Sequence, residues 1–512
     1  MKRPLLITFS LLLPFSVFAA EKPLNFINIM VDDMGYSDIS CMGGEVQTPH
    51  IDRLAQTGIL FTNYRTYPKC FPTRDAIMTG MDAPPVRLPA DGVTIAEALK
   101  PAGYRTYFVG KTHGAVMDNF IMVPKRGFDR SFGNEDGGSY WDHRVKQTML
   151  DGKPWHTEKP FFKSDTHTDF AIQFLSEHDT SKPFFLHLAY HAPHYPIHSK
   201  QADTKKYTGK FLAGPSVMRK QRFARMQEMG ILPANAKLSP DFSEMEQAWE
   251  ALPAEKKEYY DLIMAGYCGM IDNVDQNIGR VLAQLEKMGV RENTVIFFSS
   301  DNGGCAEGGN NNWPGEKTER FGHSYDYSGF IGGPTTHIQV GAAWANYSNT
   351  PFRKFKNDVQ EGGLSVPFII HAPSVIKEAG RISREPVMVM DVMPTILDLA
   401  RVPYPEKFGE RVLKPMQGLS LQPYLAGGKV DLDRPIHLFF NRNFTLIKYP
   451  WKLIVSSKGN AAPELYDLEN DRSELNNLAG QMPEKVAELQ KVMMEYREGM
   501  PLDQKAPKIQ KN

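Results

Sequence analysis

The chain is 512 residues and 57.8 kDa, long enough for one large core with a smaller unit beside it. Hydrophobic residues make up 41% and charged residues 23%, and 59 Lys+Arg balance 59 Asp+Glu to a net charge of zero. That composition is globular; it excludes disorder, and it excludes nucleic-acid or membrane-surface partners that are held through a basic excess. The N-terminus reads as a targeting segment. Lys2 and Arg3 precede an apolar run from Leu5 to Phe18, Ala19-Ala20 close it, and polar Glu21-Lys22 follow. This predicts a secretory signal peptide over 1–19 and an exported chain, periplasmic or secreted. No later run reaches the roughly 20 apolar residues of a membrane helix, so no membrane partner is expected.

Continuous apolar runs predict buried parallel strands at Phe26 to Val31, Arg105 to Val109, Phe184 to Ala189, Val295 to Ser299 and Val366 to His371. Helical periodicity lies between them, most clearly at Ile271, Val274, Ile278, Val281 and Leu285, with Gly289 placed to end the helix. Strands alternating with helices predict an α/β fold, a large mostly parallel sheet flanked by helices over residues 20–430. From 431 to 512 the pattern changes to short strands of an antiparallel meander, Ile436 to Phe440, Phe444 to Lys448 and Trp451 to Val455. A closing helix follows with Val486, Leu489, Met493 and Tyr496 on one face, then a frayed tail from Pro501. This is a small C-terminal α+β subdomain. Cys41, Cys70, Cys268 and Cys305 are too few for a disulfide framework and lack the spacing of a zinc cage.

In open α/β sheets the ligand site lies beyond the carboxyl ends of the strands. Asp32 and Asp33 follow the first predicted strand, Lys111 and His113 the second, His191 and His194 the third, and Asp301-Asn302 the fourth. Acids, bases and an amide therefore converge on one edge, the pattern of an active site. Three carboxylates and an amide form a hard-oxygen set suited to Ca²⁺ or Mg²⁺ rather than zinc.

Cys70-Phe71-Pro72-Thr73-Arg74 adds a C-x-P-x-R motif. With it the chain resembles the formylglycine-dependent sulfatases of the alkaline phosphatase superfamily. The likeness extends through Val31 to Tyr36, Thr48 to Asp52, Gly110-Lys111-Thr112-His113, Ala192-Pro193-His194 and Ser300 to Gly303. It continues in Asn349 to Arg353 with Lys356 and Glu361-Gly362-Gly363, and ends in Leu465 to Leu468 with Asn477-Leu478. The pattern is most similar to the bacterial arylsulfatase branch. Thr73 stands where Ser is usual, Thr112 where Trp is frequent and Gly114 where Leu is common.

The resemblance implies that Cys70 is oxidised to formylglycine by a maturation enzyme, and that Ca²⁺ is held by Asp32, Asp33, Asp301, Asn302 and the modified Cys70. It implies a formylglycine hydrate as nucleophile and a covalent sulfoenzyme, which splits one displacement into two steps. Arg74 and Lys111 would stabilise the hydrate, with Lys111 also reaching a sulfate oxygen. His113 would be the base that releases sulfate. His194 and Lys356 would bind sulfate, with His194 as the favoured general acid. The substrate is then a sulfated carbohydrate or an aryl sulfate. A phosphatase or phosphonate monoester hydrolase of the same superfamily is the alternative, and an inactive carbohydrate-binding relative a third reading. His191 is expected to be structural, Tyr140 and Trp141 to serve in the core or as loop anchors rather than as a sugar-stacking wall, and Cys305 to pack or to form a disulfide.

Overall fold

A computed structural model describes residues 22–82, 92–113, 120–135, 138–144, 147–240, 245–306, 330–431, 433–456 and 461–498. The expected signal peptide and the tail from Pro501 lie outside the described residues. An eleven-stranded sheet forms the centre. Its strands are β1 (Asn25–Asp32), β2 (Ile59–Arg65), β3 (Arg105–Lys111), β4 (Arg130–Asn134), β5 (Met149–Leu150), β6 (Lys153–Pro154), β7 (Phe184–Pro193), β8 (Thr294–Ser300), β9 (Ser365–His371), β10 (Arg381–Ser383) and β11 (Val387–Met388). The order runs β10-β2-β9-β8-β1-β7-β3-β4-β5-β6, with β11 extending the β2 edge.

The strands β8, β1, β7, β3 and β4 are mutually parallel. Their apolar runs are continuous because both faces are covered. On β1, Ile27, Ile29 and Val31 enter one core while Phe26 and Met30 enter the other; on β8, Ile296 and Phe298 oppose Val295 and Phe297. The first core lies under the helices Pro49–Gln56, Lys163–Ser176 and Ala254–Lys287, the second under Cys70–Thr79 and Val392–Ala400. Each fully buried Leu, Ile or Phe contributes roughly 1.5–3 kcal/mol, so the two cores together fix the sheet edge rigidly.

One strand departs from expectation. The run Val366 to His371 forms β9, but it is antiparallel to both neighbours, β8 and β2. A strand buried on both faces shows the same continuous apolar run in either direction, so its composition carries no sign of its polarity. The predicted helix from Ile271 is the second half of a 34-residue helix, Ala254–Lys287, and Gly289 follows it at φ 66 as a left-handed terminator.

The C-terminal unit is a four-stranded antiparallel sheet, Ile436–Phe440, Asn443–Lys448, Trp451–Ser456 and Glu464–Asp467, and the helix Pro483–Glu498. Ile436, Leu438, Ile447, Ile454 and Tyr466 join the core of the main domain. Phe444, Leu446, Leu453, Val455 and Leu465 pack under Val486, Leu489 and Met493 of the helix. The period-two alternation of the strands thus sandwiches the small sheet between the main domain and its own helix. No helix among the described residues is long and apolar enough to cross a membrane.

Candidate active site

The parallel strands deliver their C-terminal residues to one edge. Asp32 ends β1, Lys111 ends β3, and Asp301 follows β8, where its N–H donates to Val31 O at 3.0 Å. Between Met30 and Asp32, β1 takes two steps while its partner β7 takes four, from Ala189 to Pro193. The extra residues bulge β7 and carry the chain on to His194. Asp33 turns away from Asp32 at φ 65, a left-handed conformation uncommon outside glycine and found at sites whose surroundings enforce it. The surroundings are identifiable. Ser300 Oγ accepts Met34 N–H at 3.0 Å and donates to Asn302 O at 2.9 Å, which ties the two acidic loops together.

Cys70 is the first residue of the helix Cys70–Thr79, and its Sγ lies 3.5 Å from Asp32 Oδ1. Thr73 Oγ1, at the position where the family usually has Ser, accepts Tyr67 N–H at 3.0 Å and pins the approach to that helix. Arg74 sits one turn beyond Cys70 and so shares its face. Its guanidinium binds Asp301 Oδ2 through Nε at 2.9 Å and Nη2 at 2.7 Å, and Nη1 donates to Lys111 O at 3.2 Å. Lys111 Nζ lies 2.6 Å from Asp32 Oδ2. Lys356 Nζ reaches both oxygens of Asp33, at 2.8 and 2.9 Å. His194 Nε2 is 3.5 Å from Asp33 Oδ2. Its Nδ1 faces Tyr195 O at 2.6 Å, which can only accept, so the proton sits on Nδ1 and Nε2 faces the cleft. His113 follows β3 at φ 36, with its ring 6.4 Å from that of Phe71, the residue after Cys70.

Oxygen and sulfur atoms of Asp32, Asp33, Cys70 and Asp301 all lie within 4.8 Å of one another, and all four residues are buried. Asn302 Nδ2 donates to Asp33 Oδ1 at 2.7 Å, whereas its Oδ1 is buried with no hydrogen-bond partner among the described residues. A free amide oxygen beside three carboxylates is a donor set that a hard cation completes. The electrostatics agree. Burial opposes ionisation of Asp32, but Lys111, His194, Arg74 and Lys356 together hold it far below the usual carboxylate range. Burial and the charge on Asp32 push Asp301 the other way, above that range, despite Arg74. Two carboxylates competing for the same cations is the strain that a metal ion relieves. Burial lifts the Cys70 thiol well above its ordinary value, with Lys111 and Lys356 opposing, so the encoded side chain is a thiol and not a thiolate.

Three cations (Arg74, Lys111, Lys356) and three carboxylates (Asp32, Asp33, Asp301) are buried here, so their formal charges cancel. A divalent cation would leave a net positive cleft, suited to an anionic ester. Asp32, Asp33, Cys70, Arg74, Lys111, His113, His194, Asp301, Asn302 and Lys356, the site residues named from the sequence, all fall at this edge. Sequence reasoning missed the residues that hold them. Asn349 Oδ1 accepts Gly304 N–H at 2.9 Å, its Nδ2 donates to Lys354 O at 3.2 Å, and Lys356 N–H donates to Gly304 O at 3.1 Å. These bonds join the lysine loop to the Asp301 loop. Tyr140 and Trp141 anchor loops, through Tyr140 Oη to His194 O at 2.8 Å and Trp141 Nε1 to Gly332 O at 2.9 Å. His191 is buried against His167, ring centroids 5.4 Å apart, and Cys305 is buried and, like the other three cysteines, in no disulfide.

This constellation on this sheet defines a hydrolase of alkaline phosphatase-like fold. The sequence profile of the Sulfatase family matches residues 24–402, and that of the N-sulphoglucosamine sulphohydrolase C-terminal region matches 354–499. The chain belongs to the sulfatase family. It is 32% identical to an uncharacterized sulfatase of Schizosaccharomyces pombe, over 94% of this chain and 95% of that one. It is 30% identical to an arylsulfatase of Klebsiella aerogenes, over 78% and 91%. Among solved structures it is similar to BT4656 in complex with its substrate D-glucosamine-2-N,6-O-disulfate, with TM-score 0.61, 24% identity and 93% and 98% coverage. Family membership makes the chain a sulfuric ester hydrolase.

Proposed function

We propose that the chain is an exported, calcium-dependent sulfatase that uses formylglycine at Cys70 to cleave the sulfate ester of a carbohydrate, with aryl sulfates as further substrates. The observation that carries this reading is Cys70 at a helix start, 3.5 Å from Asp32, inside a cluster of three carboxylates and beside an amide oxygen without a partner. The carbohydrate part draws support from the relative crystallised with a glucosamine disulfate.

Asp32, Asp33, Asp301 and Asn302 would hold Ca²⁺, with the Cys70 side chain completing the set. A bound calcium ion supplies charge neutralisation to a sulfate monoanion that otherwise repels nucleophiles. Formylglycine at Cys70 would supply, as its hydrate, a nucleophilic hydroxyl and a second hydroxyl through which sulfate could be released. Arg74 and Lys111 hold that side chain in place from its own helix face and from the end of β3. His194 and Lys356, both gathered on Asp33, bind the sulfate oxygens from the opposite direction. As the S–O ester bond breaks, the departing oxygen takes a proton from His194. His113 would accept a proton in the step that releases sulfate. Burial holds His194 below its ordinary pKa against the pull of Asp33 and Asp32, so the anionic substrate must help to charge it.

The test is to produce the chain with and without a formylglycine-generating enzyme and to assay both on 4-nitrophenyl sulfate and a panel of sulfated mono- and oligosaccharides. The reading predicts activity only in the matured protein and hydrolysis of at least one sulfated sugar. Equal activity in both preparations contradicts the formylglycine assignment.

A further inference from the structure

We propose that Lys452, contributed by the C-terminal subdomain, is a positioning residue for Lys356, so that the small domain completes the active site through a buried ion network. The inference rests on the reading of Lys356 as a sulfate-binding group. Lys452 lies in an apolar strand, Trp451–Ser456, on the same side as Ile454, which joins the main core; its side chain is 0% exposed. Its Nζ is 2.9 Å from Glu361 Oε1 and 2.7 Å from Glu474 Oε1. Glu361 is also held by Arg65, through Nε at 3.0 Å and Nη2 at 2.9 Å, and by Ser365 Oγ at 2.8 Å. Glu474 Oε2 accepts the Glu361 N–H at 3.1 Å and faces Arg353 Nε at 3.4 Å. Glu474 itself sits at φ 57, a strained backbone position that aims its carboxylate into the network.

Those contacts grip both ends of the loop that carries Lys356. The loop closes on itself where Gly362 N–H donates to Arg353 O at 3.1 Å, and Gly303 N–H donates to Gly363 O at 3.2 Å. Backbone packs on backbone at these points. A Cβ on Gly362 would meet Arg353 O at 2.3 Å, one on Gly363 would meet Asp358 O at 2.0 Å, and one on Gly303 would meet Gly362 O at 1.9 Å. Lys356 rises from this closed loop to Asp33. The loop therefore has two supports, the Asp301–Gly304 segment on one side and the Lys452–Glu474 pair on the other. Replacing a buried ion pair by apolar groups is often neutral or stabilising, so such a network is weak evidence for stability alone and suits a role in fixing geometry.

The experiment is a double-mutant cycle in the matured full-length enzyme, read by kcat/KM on 4-nitrophenyl sulfate, by inhibition with inorganic sulfate, and by Tm. Lys452→Met, which keeps the chain length and removes the charge, should lower kcat/KM by about 10-fold or more and weaken sulfate inhibition. In a Lys356→Ala background the same change should cost less than about 2-fold while lowering Tm by the same amount as in the wild type. Lys452→Arg should recover part of the loss. Glu474→Gln should show the same non-additivity, and it serves if Lys452→Met does not fold. Additive losses overturn the inference and leave the sulfate-binding reading standing. Unchanged kcat/KM and sulfate inhibition in Lys356→Ala alone overturn that reading and the inference with it.

Discussion

Two buried charge clusters lie on either side of the loop that carries Lys356, and they are built differently. At the sheet edge, Asp32, Asp33 and Asp301 compete for Arg74, Lys111 and Lys356, and an amide oxygen of Asn302 is left over. At the domain boundary, both oxygens of Glu361 are engaged by Arg65, Lys452 and Ser365. Burial opposes the Glu361 charge, yet Arg65, Lys452 and Arg472 hold it well below its ordinary range. The first cluster sets three carboxylates against three cations and leaves an amide oxygen over; in the second, both oxygens of Glu361 are filled from within the chain. The spare acceptor lies where chemistry happens, and the filled carboxylate lies where the loop is held.

Five changes probe that contrast, beginning with the largest effect. Cys70→Ala should abolish turnover, while Tm moves little, since the loss is one small side chain; circular dichroism melting and assay of the same sample check both. His194→Ala should lose about 10²–10⁴-fold on a sulfated sugar and much less on nitrophenyl sulfate, because a phenolate leaves without a proton. His113→Ala should impair both substrates, since its step does not involve the leaving group. Equal losses for His194→Ala on the two esters would make it a binding group, with Lys356 left as the proton donor.

Exhaustive chelation should remove activity and lower Tm. A cation at 100 times its Kd contributes about 2.7 kcal/mol to the folded state, worth a few degrees in a chain this long. Calcium should restore both. The Glu361 cluster should ignore chelation and respond to acid. The folded pKa of Glu361 is depressed, so its contribution is present above the ordinary glutamate value of about 4.3 and is lost as pH falls below it. Burial and Glu361 hold Glu474 above its ordinary range despite Lys452, which gives a dependence of opposite sign. Urea midpoints at pH 5 and pH 3 should therefore fall in the wild type and fall less in Lys452→Met.

The sequence made the first cluster readable and hid the second. Asp32, Lys111 and Asp301 each end a continuous apolar run, so their convergence follows from strand order alone. Polarity does not follow in the same way, and β9 turned out antiparallel. The strand β2 went unread because Thr62, Asn63 and Arg65 interrupt its apolar pattern. Each is buried and bonded from afar, Thr62 to Ser383 O, Asn63 to Arg384 O and Arg65 to Glu361. The same holds for Lys452 and Glu474. A lysine inside Trp451-Lys452-Leu453-Ile454-Val455 was the available signal, but its partner Glu361 stands 91 residues away.

The central claim is that Cys70, once oxidised, is the reacting group of a sulfatase. The most direct measurement is the mass of the Cys70 peptide, taken across preparations matured to different extents and set against their kcat on 4-nitrophenyl sulfate. The account predicts activity proportional to the aldehyde fraction and extrapolating to zero where only thiol is present. Full activity in protein whose Cys70 is entirely thiol would contradict it.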